Sequence, residues 1–454
     1  MLPPRSRLPG IVHLIRWMRD PDGSVQRDAA RYGDAYMHDT PIFGAQVTFS
    51  HPAALKEIFT GDAETFVAGE ANRPLGLVLG DRSVLLLDGP EHLRVRRLMI
   101  PAFHGERMRH HTDTMREVTR RVLSTLRVGD SVALHSVFQR ITVELILLTV
   151  LGLEAGPELD RARVLFTRLL DRFQSRSGSL WLLPAMRKDL GPLTPWASIK
   201  RDLDETDRLL LAHIAHRRAS AEQKNDVFAM LLAAVDEQGN GLDDATLVSQ
   251  LKTLVIAGHE TSASTMAWAF EELLRVPGEQ ERLIAEAQAV TGGAPLGSDH
   301  LPGLERLDSV LKETLRLHPP TGAVGRRLKK PATIGGYDLP ADVMVVACMH
   351  LTHRRPDLYP DPLRFIPERF IGKKIDPYEW APFGGGIRRC LGMAYALQKM
   401  KVIMATMLSA GITVRLESRG GARTALRSML YAPEGETRVV VVAKSPPVAV
   451  APPT

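Results

Sequence analysis

Apolar positions along this chain recur mostly at intervals of three and four, the spacing that lines one face of a helix. That period runs through residues 115–126, 132–153 and 159–173, through residues 247–274, and again through residues 391–409. Asp243 or Asp244 supplies a start signal for the 247–274 helix, and Pro277 supplies its stop. Strand-like alternation is confined to short pieces. Residues 34–40 and 46–50 read as a hairpin around Pro41 and Gly44, residues 333–340 and 343–347 as a strand pair, residues 412–416 and 438–442 as late strands, and residues 428–431 as a turn. The pattern predicts a mainly α chain with small β-sheets.

Two stretches break the period without becoming polar. Residues 60–87 carry Gly61, Gly69, Gly76 and Gly80, yet also Leu75, Leu77, Val78, Leu79 and Leu85 to Leu87. Apolar residues on so long a loop usually serve a site. Residues 177–184 interrupt two helices with Trp181 and Pro184, which suits either a cover over a pocket or a packing loop.

Composition narrows the class. At 454 residues, with 44% hydrophobic and 24% charged residues, the chain reads as globular, and no linker divides it, so a single domain over 1–454 is expected. Residues 1–20 form an N-terminal segment without the apolar core of a signal peptide, and residues 445–454 a disordered tail. No run approaches the roughly 20 apolar residues of a membrane span, so no anchor is expected. Two cysteines, Cys348 and Cys390, make no disulfide framework, which suits the cytoplasm. The net charge of +6 is scattered and not interleaved with aromatics, so nucleic acid is not the expected partner.

The chemistry concentrates in residues 382–392, PFGGGIRRCLG. Glycines allow a tight backbone, and the helix after Cys390 would turn its positive end toward the sulfur, favouring a thiolate. Elsewhere His92 and Arg96, four apart, share a helix face suited to an anion. In the middle of the long helix, Ala257 and Gly258 let something large approach, and Thr261 can take the Ala257 carbonyl's hydrogen bond out of the helix. Glu260 stands beside it, and a carboxylate in so apolar a helix must be paired or hydrated. Glu313 and Arg316, three apart, can pair. His259 reads as a packed residue.

The spacing Phe383, Gly386, Arg388, Cys390, Gly392 resembles the haem-binding loop of the cytochrome P-450 superfamily. The resemblance extends, in the family's order, to His92/Arg96, Ala257 to Thr261, Glu313/Arg316, and Arg369 in Pro367-Glu-Arg-Phe370. It implies a single-domain cytochrome P-450 fold holding haem b, with Cys390 as axial ligand and Phe383 beside the sulfur. His92, Arg96, Arg388 and Arg326 would meet the propionates, with Arg327 the rival of Arg326. Ala257, Gly258, Glu260 and Thr261 would form the oxygen-side motif, its acid and alcohol relaying protons. Glu313, Arg316 and Arg369 would lock the segment carrying the thiolate.

The implied activity is monooxygenation of a lipophilic substrate by O2, here a fatty acid, terpenoid or steroid. Residues 75–79, 85–87, 181–183, 323–324 and 429–431 would line its pocket. Arg73 reads either as a carboxylate anchor or as an exposed loop residue. Electrons would come from a ferredoxin or flavodoxin with its reductase, docking on Arg94, Arg97, Arg389 and Lys399, and the chain would act as a monomer. A peroxygenase of the same fold lacks the acid–alcohol pair, and a haem sensor has no use for it.

Overall fold

The structure of the chain, a computed structural model, describes residues 1–103, 107–174, 194–220 and 225–444. The expected cover at 177–184 and the tail at 445–454 lie outside the described residues. The elements that position the site are helices α1 (Gly89–Met99), α2 (Leu134–Thr149), α3 (Asp244–Leu273), α4 (Glu305–Leu317) and α5 (Met393–Ser409). They are joined by strands β1 (Ala35–Thr40), β2 (Gly44–Phe49), β3 (Phe66–Val67), β4 (Val324–Leu328) and β5 (Met344–Ala347).

Helix α3 forms because Asp243 caps it: its carboxylate accepts from the Thr246 amide at 2.7 Å, which decides between the two candidate caps and adds a turn before residue 247. The helix is buried on nearly every face, yet Ala257, halfway along, is exposed. Helix α2 lies against it through Phe138 and Phe270, whose rings are 5.7 Å apart, and α4 meets it where His318 stacks on Trp268 at 3.8 Å.

Beside these helices, the five strands form one sheet in the order β1-β2-β5-β4-β3, with β2 and β5 parallel. The expected hairpin over residues 34–50 is β1 with β2. The strand pair expected at 333–347 divides differently. Ala332–Ile334 turns back on Tyr337–Leu339, while β5, buried at all four positions, takes partners on both sides in the larger sheet. A strand buried on both faces belongs in a sheet interior, which a two-stranded ribbon does not have. Residues 60–87 hold β3 and two helical turns, Gly69–Asn72 and Gly76–Leu79. The turn expected at 428–431 is the corner of a hairpin, with Ser428 at φ 58° and Leu430–Pro433 as the returning strand.

The approach to Cys390 is held by a buried hub. Arg316 is completely enclosed, and its guanidinium donates to both oxygens of Glu313 at 2.7 and 2.9 Å and to the carbonyls of His353 and Pro362 at 2.6 and 2.8 Å. Glu313 also accepts from the Ile366 amide at 2.9 Å, and Arg369 lies 3.4 Å away. His353 extends the hub. Its Nε2 accepts from the Ala381 amide at 2.9 Å, so Nδ1 carries the hydrogen donated to the Arg316 carbonyl at 3.2 Å. Burial and the neighbouring Arg316 push its pKa down to about 3, so the ring stays neutral. Trp380 adds a further tie, donating to the Lys312 carbonyl at 3.1 Å. A lysine at 316 would keep the charge but lose the planar fork that meets five acceptors, the Arg364 carbonyl being the fifth. The expected outcome of Arg316→Lys is a loss of about 3 kcal/mol or more in urea unfolding, well beyond the change caused by Arg364→Lys on the exposed neighbouring turn.

Candidate functional site

The Cys390 loop closes on itself where the Cys390 amide donates to the Phe383 carbonyl at 2.9 Å, and the Phe383 ring lies edge-on to Trp380 at 6.1 Å. Gly386 adopts φ 61°, and a Cβ on it would stand 1.8 Å from the Phe59 carbonyl; one on Gly385 would stand 2.6 Å from the Phe59 ring. These glycines therefore serve to seat the loop against the helix Pro52–Thr60. The sulfur itself accepts from the Gly392 amide, which lies outside the three-glycine run.

Helix α5 starts at Met393, three residues after Cys390. Burial raises the thiol's pKa, and this outweighs the Gly392 amide and the charges of Arg96, Arg389 and Lys399. The helix end thus does not by itself make a thiolate, contrary to the sequence expectation; a bound cation does so outright. Cys390 lies deep among protein atoms yet has an open surface, the combination that a hollow beside the sulfur produces.

Around that hollow the structure brings together residues distant in sequence. His92 and Arg96 on α1, Arg326 on β4 and Arg388 in the loop are near enough to perturb one another. Burial and the three arginines push His92 down to about 3. Burial likewise pushes Arg326 and Arg388 down to about 10, against the pull of Asp88. Strand alternation separates Arg326 from its rival: Arg326 turns inward, whereas Arg327 donates to the carbonyls of Asp342 and Phe43 at 2.8 and 3.0 Å. Arg96 donates to the Arg389 carbonyl at 2.6 Å, and Arg388 bonds Asp88 at 2.6 Å and the Val84 carbonyl at 3.1 Å. Asp88 also accepts from the amides of Ala68 and Gly69, so it clips the loop before α1 to the cysteine loop.

On α3, Thr261 donates to the Ala257 carbonyl at 2.8 Å, and these two residues form an open face. Gly258 does not share it: a Cβ there would stand 3.1 Å from Ile146 of α2, so its smallness admits a neighbouring helix. Glu260 also meets α2, through His135 and Gln139. It is 2% exposed, and it accepts from His135 Nε2 at 2.9 Å, Gln139 Nε2 at 2.8 Å and Ser264 Oγ at 3.0 Å. Burial pushes its pKa up, but the His135 bond and charge, with His259 and Arg427, pull it down to about 2. His259 is buried, and burial pushes its pKa down to about 4.

Part of the expected donor surface is overturned. Lys399 is fully buried and donates to the Gly258 carbonyl at 2.5 Å, and burial pushes its pKa down to about 7. Arg94 is committed to Asp236 at 2.6 Å and the Gly241 carbonyl at 3.0 Å. Arg97 and Arg389 remain exposed, as does Arg73. Tyr431, expected at the pocket, turns its hydroxyl to Trp17 Nε1 at 3.3 Å and sits at the His350 ring edge. Asp88, His135, Gln139 and His353 gave no signal in the sequence, since each acts only on a partner remote along the chain.

A family model described as Cytochrome P450 matches residues 3–410. The chain belongs to the cytochrome P450 family. It is therefore an oxidoreductase of the haem monooxygenase class, whose members use a cysteine thiolate ligand, a substrate and a source of electrons. The chain is 36% identical over 97% of its length to proteins named cytochrome P450 135B1 from Mycobacterium bovis and Mycobacterium tuberculosis, covering 91% of theirs. It is 33% identical over 94% of its length to cytochrome P450 137 of Mycobacterium tuberculosis, covering 87% of it. Among solved structures it is similar to the one titled "Retinoic acid bound cyanobacterial CYP120A1", with a TM-score of 0.82 and 24% identity over 97% of this chain and 99% of the other, a likeness of fold. Among the described residues no helix is long and apolar enough to cross a membrane.

The depressed Glu260 sets an acid dependence. Its folded pKa of about 2 lies below the ordinary 4.5, so the stability it contributes is complete above about pH 4.5 and is lost as pH falls toward about 2. The stability difference between the native chain and Glu260→Gln in urea titrations should be constant above pH 5 and shrink on acidification.

Proposed function

We propose that Cys390 is the axial ligand of haem b and that the chain hydroxylates a lipophilic substrate with electrons from a separate protein. The observation that carries this is the crowd of cations beside the open sulfur. Three arginines stand beside a neutral histidine with one carboxylate, Asp88, to balance them. A dianionic group satisfies such a cluster, and a soft sulfur beside it suits iron. In this reading His92, Arg96, Arg326 and Arg388 hold the two propionates, and Phe383 covers the sulfur. The haem supplies the oxygen-activating chemistry when bound.

The chain's own residues do the rest. Thr261 keeps its hydrogen on the Ala257 carbonyl, which leaves its lone pairs to accept a hydrogen bond on the open face. Glu260 holds the acid–base site one residue away. Val78, Leu169, Phe173, Ile199 and Leu203 form an apolar cluster with Leu77, Trp196 and Ile256, the residue next to Ala257. That wall supports a fatty acid, terpenoid or steroid as substrate. Exposed Arg97 and Arg389 flank the cysteine loop and suit an acidic ferredoxin or flavodoxin. The reading is of one domain acting as a monomer in the cytoplasm; two free cysteines, Cys348 and Cys390, suit that reducing compartment.

The test is spectroscopic and catalytic together. The purified chain should bind haem and, reduced under carbon monoxide, show the red-shifted band of thiolate ligation; Cys390→Ser should lose that band and all coupled product formation. A Cys390→Ser protein that keeps the band would rule the ligand out. For the electron donor, Arg97→Glu and Arg389→Glu should slow reduction roughly tenfold at low salt, with less effect at high salt, and leave the absorption spectrum unchanged. A rate indifferent to both charge and salt would dismiss the patch.

A further inference from the structure

Outside the hollow, His135 is one of the described buried side chains with an unpaired polar atom, and it stands directly against Glu260. His135, at the start of α2, has no exposed surface, and its Nε2 is 2.9 Å from Glu260 Oε1 and 3.3 Å from Ser264 Oγ. A carboxylate only accepts, so Nε2 must carry the hydrogen. The other ring nitrogen, Nδ1, is buried and has no hydrogen-bond partner among the described residues. A histidine kept solely to satisfy Glu260 would have both nitrogens paired, since a bare buried nitrogen costs about 1 to 3 kcal/mol.

The surroundings of the ring are ionic on its outer side. Ser136, the next residue, donates to Glu436 Oε2 at 3.0 Å, and Arg427 pairs with the same Glu436. The charge of His135 reaches Glu436, and exposed Asp171, on the helix Pro157–Gln174, feels Arg427, Glu260 and Glu436. On the inner side stand Glu260 and Gln139, with His259 against Glu260 and Lys399 acting on His259. Ionisable groups thus run from exposed Asp171 through Glu436 and His135 to Glu260.

We propose that His135 is the positioning residue that loads Glu260 with protons from solvent, on the α2 side of α3. The inference rests on Glu260 being the acid of the proton relay. In the step, an imidazolium at His135 gives its Nε2 proton to Glu260 Oε1. The N–H bond breaks, the O–H bond forms, and a charged pair becomes a neutral ring and a neutral acid. Glu260 then releases the proton toward the Thr261 face. The ring, left with its hydrogen on Nδ1, exchanges tautomer through water so that Nε2 again carries the hydrogen, and one proton from water on the Asp171 and Glu436 side then binds the bare Nδ1 and restores the imidazolium. No electron moves.

Two variants of the haem-loaded chain test this. His135→Gln keeps an amide N–H for Glu260 but cannot titrate. Its fraction of reducing equivalents lost to peroxide should rise about tenfold, its solvent isotope effect should grow, and its coupling should lose its pH dependence, while the carbon monoxide band stays unchanged. Glu260→Gln should also uncouple. Full coupling in His135→Gln beside an uncoupled Glu260→Gln overturns the inference and leaves the acid's role standing; full coupling in both removes that role first. A readout independent of turnover is the 15N spectrum of histidine-labelled protein. The His135 Nδ1 signal should titrate with pH, and Glu260→Gln should move that titration to lower pH. A ring that never changes protonation between about pH 5 and about pH 9 overturns the inference.

Discussion

The enclosed guanidinium of Arg316 is the constraint on which the rest of the molecule depends. It meets Glu313 through both carboxylate oxygens and three stretches of backbone through their carbonyls. A charge this deep is tolerable only because every donor has a partner. The consequence reaches Cys390 by short steps. His353 accepts from Ala381 and donates to Arg316, Trp380 ties to α4, and Phe383 lies against Trp380. The loop that presents the sulfur is therefore tied to the hub behind it.

The electrostatics of the site are divided between its two sides. Beside the sulfur, arginines gather with too few anions, and the cost of that deficit and of burial shows in the lowered proton affinity of His92, Arg326 and Arg388. Against α2 the balance is reversed: one carboxylate is surrounded by three donors and stays ionised. Residues 257, 260, 261 and 264 follow the three-and-four spacing of one helix face, and that face is shared: Thr261 bonds back to Ala257 on its open part, while Glu260 and Ser264 meet His135 of α2 along its edge. A helix four turns from either end is rigid enough to keep the two environments apart while only one residue separates Glu260 from Thr261.

Legibility in the sequence followed the range of each interaction. The helix over residues 247–274, its aspartate cap, the Glu313/Arg316 pair and the Thr261 bond to Ala257 are all written within four residues, and each stands in the structure near where the pattern put it. Lys399 shows the converse. Its charge suggested an outer face, but the helix phase of α5 turns it inward onto Gly258, and nothing local to residue 399 distinguishes the two. Gly258 likewise looked like room for a large group and proved to be room for Ile146.

By itself the sequence determined the mainly helical class, the family and the Glu313/Arg316 pair, because those depend on side-chain chemistry at short spacing. Only the tertiary structure decided which of Arg326 and Arg327 turns inward, that Asp88 clips two loops together, that burial rather than the helix end governs the cysteine, and that His135 stands behind Glu260. Each of those is a contact between segments tens to hundreds of residues apart, and the packing of whole helices, not any local pattern, brings such segments together.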